Sequence, residues 1–325
     1  MKIAILGTGA YGIALALMFY KNECSITMWT KFKEEKEMLL KYRENKKTLP
    51  KVLIPEDILI TNSLEEAIND KDLIVIAVPS AFVDDVSESL SGILKENQHI
   101  CLASKGIERD SCLFVSEIMK KHIKTENYAV ISGPSFAIDI ANGDPIGLSL
   151  ATNNKETKNI ILKSLQNDTL KLRWTTDILG VEICGSIKNI IAIAAGILKG
   201  LGFSESTQAM FITESLNDIK ELIKAFGGDK KTILSFAGFG DLLLTATSSK
   251  SRNFTFGYMI GSKIAKEQLD EYKKNTTIEG LYSLKSIYKL VKDKNVEIPI
   301  IDLIYDIIFK EKDPRSLASF LIEKE

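Results

Sequence analysis

The chain has 325 residues, of which 45% are hydrophobic and 26% are charged, the balance of a globular protein with one large or two medium domains. Its net charge of −1 excludes a global field that attracts nucleic acid or an anionic membrane, so local cations must bind any anionic ligand. With two histidines, and four cysteines of which none forms a C-x-x-C pair, the sequence indicates neither a zinc site nor a histidine-based triad, and we predict no metal.

The first half of the chain alternates short apolar runs with helical patterns. We predict strands at 2–6, 25–29, 57–61, 73–78, 99–103, 128–132 and 146–151, with helices at 10–21 and near 32–43. Such alternation is typical of a doubly wound, mostly parallel sheet of the Rossmann type.

From about Thr176 the pattern changes to long helical periodicities without a strong β run. Helices are predicted at 179–199, 205–226, 230–236, 252–267, 279–292 and 299–309. The fold class is therefore α/β, with a dinucleotide-binding Rossmann domain at 1–176 and an all-helical substrate and catalytic domain at 177–325.

The uncharged residues 3–20 resemble the apolar part of a signal peptide. Three glycines within six of these residues would break a membrane-inserting helix, whereas a strand, a glycine turn and a helix explain each of them. No other uncharged run approaches the roughly 20 residues that a spanning helix needs. We expect a cytoplasmic protein without an integral membrane segment.

The segment 7–12 reads GTGAYG, between the first predicted strand and the first predicted helix. Gly7 would make the tight turn, Gly9 would let the backbone approach a pyrophosphate, and Gly12 would let the helix pack on the strand. The positive helix N-terminus would then face the phosphates. A glycine turn without a ligand is the alternative, but the order of strand, loop and helix favours dinucleotide binding.

The second strand ends at SITMWTKFK, where NAD-binding folds carry an acidic residue for the ribose 2′-hydroxyl. Thr30 and Lys31 stand there instead. A cation without a carboxylate suits the 2′-phosphate of NADP. The alternative is that Lys31 is an ordinary surface lysine without a ligand. We expect NADP(H) to be favoured, with NAD(H) possible.

Residues 184–196, CGSIKNIIAIAAG, place one lysine in the most apolar helical stretch of the chain. Helical spacing puts Lys188 and Asn189 on a face otherwise made of glycine and alanine. The positions three and four residues away from Lys188 offer no carboxylate, so its partner must be distant in sequence or a ligand. The alternative is a lysine whose stem lies on apolar surface and whose head stays in water.

A second anion site is indicated in SFAGFGDLLLTATSSKSRNFTFG at 235–257. Asp241 follows a glycine turn, and Ser251, Arg252 and Asn253 stand at the predicted start of a helix. Arginine and free helix N–H groups bind phosphate well. N-capping by Ser251 or Asn253, with an exposed Arg252, explains the same residues equally well.

Seven motifs in this order resemble those of bacterial-type NAD(P)-dependent glycerol-3-phosphate dehydrogenases, over essentially the whole chain. They are GTGAYG at 7–12, AVPS at 77–80, SKGIE at 104–108, SGPSFA at 132–137, IKNIIAIAAG at 187–196, GDLLLTATSSKSRN at 240–253 and IEG at 278–280. The resemblance implies reduction of dihydroxyacetone phosphate to sn-glycerol 3-phosphate, the entry to glycerophospholipid synthesis, and a homodimer.

The resemblance also assigns roles to residues. It makes Lys188 the general acid/base, with Asn189 and Asp241 beside it in the catalytic group. Substrate contacts would come from Lys105, Gly133, Ser135, Lys188, Asp241, Ser251, Arg252 and Asn253. Cofactor contacts would come from Gly7, Gly9, Ala10, Tyr11, Gly12, Lys31, Lys105, Ala137, Arg252, Thr277 and Glu279.

Three positions depart from frequent choices of the family, among them Lys31, a position that varies with cofactor preference. Ala10 stands where serine is common, and Ser135 replaces a frequent threonine while keeping the hydroxyl. Two other functions stay open: a hydroxyacid dehydrogenase of the same architecture acting on a carboxylate, and a non-catalytic NADP-binding sensor. Arg252 argues for phosphate over carboxylate, and a sensor has no reason to keep Lys188, Asn189 and Asp241 together.

Overall fold

A computed structural model describes residues 1–109 and 111–323 and divides the chain into two compact units. The first unit comprises Met1–Lys105 and Val115–Ile178, and the second comprises Gly106–Phe114 and Leu179–Glu325. The predicted division into two domains after residue 176 stays a prediction. In the structure, Gly106–Phe114 groups with the later residues.

The first unit is built on an eight-stranded sheet. Its strands are β1 (Lys2–Leu6), β2 (Ser25–Trp29), β3 (Leu59–Thr61), β4 (Leu73–Ile76), β5 (His99–Leu102), β6 (Tyr128–Ser132), β7 (Ile146–Ala151) and β8 (Leu170–Thr175). They lie in the order β3-β2-β1-β4-β5-β6-β7-β8, and every neighbouring pair is parallel except β6 with β7. The predicted doubly wound, mostly parallel sheet is confirmed.

Helices connect these strands. They are α1 (Ala10–Lys21), α2 (Lys33–Tyr42), α3 (Leu64–Ile68), α4 (Val83–Ser91), α5 (Val115–His122), α6 (Ala137–Asn142) and α7 (Lys155–Leu165), with one 3₁₀ turn at Ser80–Phe82. All four residues of β4 are buried, as expected for a central strand covered on both faces. β1 lies between β2 and β4, so the strand order reverses between β1 and β4. In sheets of this kind, ligands bind outside the carboxyl ends of the strands at the point of reversal.

The strand β8 was not predicted from the sequence. Leu170 is its one buried residue, the other five are exposed or half-buried, and Trp174 is 50% exposed. An edge strand with this little burial lacks the apolar run by which the other strands were recognised.

The second unit is helical. Its helices are α8 (Ile178–Gly200), α9 (Glu205–Ala225), α10 (Asp241–Thr247), α11 (Arg252–Gly261), α12 (Lys266–Asn275), α13 (Glu279–Asp293), α14 (Pro299–Phe309) and α15 (Ser316–Glu323). Two predicted helices were wrong in detail. The pattern at 252–267 splits into α11 and α12, and the pattern at 230–236 is a 3₁₀ turn at Lys230–Leu234, followed by a single π turn at Phe236–Gly240.

Among the described residues, α8 is the one helix whose length and hydropathy would allow it to cross a membrane. However, 89% of its most apolar window is buried inside the protein. Ile187, Ile190 and Ile191 belong to the hydrophobic core of the second unit. The same apolarity is therefore accounted for by a core helix.

Glycines let α8 and α11 touch through their backbones. A Cβ added at Gly257 would lie 1.9 Å from the carbonyl oxygen of Ile193, and one at Gly261 would lie 2.1 Å from that of Ile197. On the opposite helix, a Cβ at Gly196 would lie 2.0 Å from the carbonyl oxygen of Phe254. Part of the small-residue face of α8 therefore packs on α11 and does not line a cavity.

Replacing Gly257 by alanine should destabilise the helical unit. The added methyl group has no space, and overpacking of this kind costs about 1–3 kcal/mol. Without the clash, alanine inside a helix would instead stabilise the protein by about 1 kcal/mol, so the sign of the change is informative. Thermal unfolding followed by circular dichroism measures it. The control is Gly92→Ala, whose added Cβ meets nothing within 4 Å; an unchanged or raised Tm for Gly257→Ala would contradict the close packing.

Candidate functional site

The loop after β1 is shaped to accept a dinucleotide. Gly7 has φ of +122°, and a Cβ there would lie 2.7 Å from the carbonyl oxygen of Ala77. A Cβ on Gly12 would lie 2.2 Å from the carbonyl oxygen of Gly7, so both positions require glycine. In contrast, a Cβ on Gly9 meets nothing within 4 Å, which leaves open space beside the backbone where α1 begins. This combination fits a pyrophosphate at a helix N-terminus.

Four of the predicted site residues meet beside this loop. Lys105 Nζ donates to the carbonyl oxygen of Gly133 at 3.3 Å, and Ser135 Oγ donates to the same oxygen at 3.0 Å. The Tyr11 hydroxyl lies 3.3 Å from Ser135 Oγ, and Lys105 Nζ lies 5.7 Å from the centre of the Tyr11 ring. Ala137 begins α6 close by in sequence. A cationic, hydroxyl-bearing cluster of this kind suits an anionic or polar ligand.

The end of β2 carries both a cation and a carboxylate. Lys31 is 65% exposed in its side chain, and its Nζ lies 3.8 Å from Asp85 Oδ2. Thr30 Oγ1 donates a hydrogen bond to Glu35 of α2, and Asn45 Nδ2 donates to the same carboxylate at 3.2 Å. Glu35 was not predicted, because it lies in the first turn of the following helix and not at the strand end, where the acid was expected.

Lys188 of α8 is paired with Asp241 of α10. The distance between Lys188 Nζ and Asp241 Oδ1 is 2.6 Å, and 12% and 2% of the two side chains are exposed. An ammonium group so far from water requires a nearby opposite charge. The distant partner expected for Lys188 is therefore Asp241, and the alternative of a lysine head in open water does not apply.

Thr245 is a member of this group that the sequence did not reveal. Its Oγ1 accepts from Lys188 Nζ at 3.3 Å and donates to the carbonyl oxygen of Asp241 at 2.7 Å. Thr245 stands four residues after Asp241, so one turn of α10 places both on the same face. That spacing was the available signal, although i, i+4 pairs are too common to single it out.

Asn189, Asn253 and Glu279 form a second polar group. Asn189 Nδ2 donates to Glu279 Oε2 at 3.2 Å, and Asn253 Nδ2 donates to Asn189 Oδ1 at 3.0 Å. Asn253 Oδ1 in turn accepts from the backbone N–H of Gly280 at 2.9 Å. The three side chains link α8, α11 and α13, and at 4% and 7% exposure the two asparagines are buried.

The start of α11 has features of both an N-cap and an anion site, the two interpretations of residues 251–253. Ser251 caps the helix by accepting from the N–H of Phe254 at 3.3 Å, and Arg252 is exposed at the first helical position. Asn253 does not cap, because its side chain is held by Asn189 and Gly280. Thr277 is exposed just before α13. Ser251 is 4% exposed, so Arg252 is the member of this segment that is open to a ligand, and N-capping by Ser251 leaves it so.

Two family models together match most of the chain. The N-terminus of NAD-dependent glycerol-3-phosphate dehydrogenase matches residues 2–158, and the C-terminus of the same family matches residues 177–319. The matched parts contain the glycine loop, the Lys105 cluster and the Lys188–Asp241 pair.

Individual relatives agree over the full length. A glycerol-3-phosphate dehydrogenase [NAD(P)+] from Fusobacterium nucleatum is 38% identical, with 100% of this chain and 97% of that protein covered. One from Thermoanaerobacter is 37% identical, covering 100% and 98%. The crystal structure of glycerol-3-phosphate dehydrogenase from Coxiella burnetii has a TM-score of 0.92 at 30% identity, with 99% of each chain covered. The chain therefore belongs to the NAD-dependent glycerol-3-phosphate dehydrogenase family.

Proposed function

We propose that this chain reduces dihydroxyacetone phosphate to sn-glycerol 3-phosphate, reversibly, with NAD(P)H, and thereby supplies glycerophospholipid synthesis. The observation that carries the proposal is the buried Lys188–Asp241 pair, in a chain that belongs to a family of oxidoreductases. A carbonyl reduction needs a proton donor, and a lysine held in an apolar surrounding by one carboxylate supplies it.

The proposed chemistry divides between cofactor and protein. When bound, the reduced nicotinamide supplies a hydride to C2 of the substrate. Lys188 holds a proton on Nζ and gives it to the C2 oxygen, so the ketone becomes a secondary alcohol. Asp241 keeps the ammonium form stable before transfer, and Thr245 fixes the direction of Nζ. In the reverse direction the neutral amine of Lys188 takes the hydroxyl proton.

Substrate recognition would depend on cations and hydrogen-bond donors. Arg252 offers a bidentate fork to the phosphate, with Ser251 beside it at the helix N-terminus. Asn253 would contribute a remaining amide hydrogen, since its hydrogen bond to Asn189 fixes its orientation. Further contacts to the substrate are proposed for Lys105, Gly133, Ser135, Lys188 and Asp241.

The chain belongs to a family that uses NAD or NADP, and we propose that NADP(H) is favoured. Lys31 supports this preference, because its exposed ion pair with Asp85 is weak and leaves a charge for a 2′-phosphate. Proposed contacts to the cofactor come from the glycine loop and from Ala10, Tyr11, Lys31, Lys105, Ala137, Arg252, Thr277 and Glu279.

A cytoplasmic homodimer is the proposed form of the enzyme. The four cysteines are free and buried, as suits a reducing compartment. Burial raises the pKa of the Cys101 thiol to about 12, so this side chain stays an inert core residue at neutral pH.

The choice of substrate is tested by following NADPH loss at 340 nm. Dihydroxyacetone phosphate should be turned over, and unphosphorylated dihydroxyacetone should not, because the phosphate contacts orient the carbonyl. An α-keto acid serves as the control for a hydroxyacid dehydrogenase. Equal rates with both dihydroxyacetone forms, or no rate with the phosphate ester, would refute the proposed substrate.

Lys188→Met should reduce turnover to well below a tenth of the original while leaving NADPH affinity nearly intact, since the lysine acts on the substrate oxygen. Stopped-flow rates and cofactor titrations separate the two quantities. Lys199→Met on the same helix is the matched control, because that side chain is 42% exposed and pairs with Glu205. Turnover above a tenth would remove Lys188 from the acid/base role.

Arg252→Ala should mainly raise the KM for dihydroxyacetone phosphate. Truncating one partner of a charge pair that the bound substrate shields from water costs about 2–5 kcal/mol of binding free energy. Steady-state kinetics at saturating NADPH provide the measurement, and Arg315→Ala, an exposed arginine of the same unit, is the control. An unchanged substrate KM would make Arg252 a surface residue without a role in binding.

A further inference from the structure

A carboxylate stands at the carboxyl end of β2, contributed by the helix that follows. Glu35 accepts a hydrogen bond from Thr30 Oγ1 on one oxygen and from Asn45 Nδ2, at 3.2 Å, on the other. Thr30 and Asn45 are 3% and 2% exposed, while Glu35 itself is half-buried. Two buried side chains therefore fix a carboxylate that remains partly open to solvent.

This carboxylate is coupled to the glycine loop by direct contacts. Asn45 Nδ2 also donates to the carbonyl oxygen of Thr8 at 3.0 Å. The N–H of Gly7 donates to the carbonyl oxygen of Trp29, the last residue of β2, at 2.9 Å. In dinucleotide-binding sheets, the end of this strand reads the 2′ position of the adenosine ribose. Glu35, in contact with Thr30, thus lies beside the end of a strand that has no acid of its own.

Lys31 and Glu35 carry charges of opposite sign near the end of β2. Both donors to Glu35 are neutral groups, so its negative charge is not cancelled by them. Lys31, the nearby cation at the same strand end, pairs at 3.8 Å with Asp85. A 2′-phosphate would be attracted by Lys31 and repelled by Glu35, whereas a 2′-hydroxyl can donate to a carboxylate.

We propose that Glu35 is a specificity-determining residue that lowers the preference for NADP(H) which Lys31 confers. Its carboxylate accepts from the 2′-hydroxyl of NAD(H) and repels the 2′-phosphate of NADP(H). The proposal rests on the proposed function only in requiring that this unit binds a nicotinamide dinucleotide. Opposing charges at one strand end would let the enzyme use both cofactors.

The test is Glu35→Gln, which removes the charge and keeps a side chain able to bond both Thr30 and Asn45. Binding of NADPH and of NADH to the full chain, without substrate, is titrated by nicotinamide fluorescence. The ratio of NADPH to NADH affinity should rise about tenfold at low salt, as expected for repulsion between solvated charges a few ångströms apart. The rise should shrink between about 20 mM and 500 mM salt, since the Debye length falls severalfold.

Three further variants separate the effect of the Glu35 charge from the effect of its hydrogen bonds to Thr30 and Asn45. Glu34→Gln, an exposed neighbour in the same helical turn, should leave the ratio unchanged. Lys31→Gln should lower it. Glu35→Asp keeps the charge while shortening the reach to Thr30 and Asn45. A purely structural role therefore predicts that Glu35→Asp disturbs cofactor binding and Glu35→Gln does not, whereas our proposal predicts that Glu35→Gln raises the ratio and Glu35→Asp does not.

The outcomes are distinguishable. If Glu35→Gln weakens the binding of both cofactors equally, or changes neither affinity, Glu35 does not determine cofactor specificity and the proposal is wrong. If the unmodified chain binds neither reduced dinucleotide, the proposed function fails, whatever the variant does. Binding of both cofactors with an unaltered ratio in the variant would overturn the role of Glu35 and leave the proposed function standing.

Discussion

Lys188 projects from the apolar helix α8, and its ammonium lies 2.6 Å from an Asp241 carboxylate that is itself buried. A charge in such surroundings is costly unless an opposite charge is held against it, so the fold must deliver Asp241 to this point. The 3₁₀ and π turns at 230–240 do so. Ser235 Oγ accepts from the N–H of Gly238 at 3.2 Å, and a Cβ on Gly238 would lie 2.2 Å from the carbonyl oxygen of Ile233. The tight turn starts α10 at Asp241 and places Thr245 on the same face.

The close packing of α8 and α11 serves the second polar group in the same unit. Because glycines bring the two helix backbones together, Asn253 near the start of α11 reaches Asn189 on α8. Asn189 then meets Glu279, and Asn253 meets the N–H of Gly280, so the start of α13 is fixed to the same point. Buried amide groups linked in this way rigidify a site, since each unsatisfied donor or acceptor would cost free energy.

The Rossmann unit must bind an anionic dinucleotide although the chain has a net charge of −1. Backbone N–H groups at the start of α1 supply positive potential without a charged side chain, and Lys105 adds one cation at Gly133. At the end of β2, the side chains of Lys31 and Glu35 carry charges of opposite sign.

Periodicity and glycine spacing determined the fold class from the sequence, because a buried parallel strand and a core helix leave strong local patterns in β4 and α8. Motif order determined the family, and the helical face of 184–196 showed that Lys188 lacks a local partner. The weakly buried edge strand β8 left no such pattern and was missed. Tertiary structure alone decided that the small residues of α8 pack partly on α11, that Thr245 joins the ion pair, and that Glu35 returns to the end of β2. These are contacts between side chains far apart in sequence or on separate elements, and their geometry is set by packing, which local patterns do not encode.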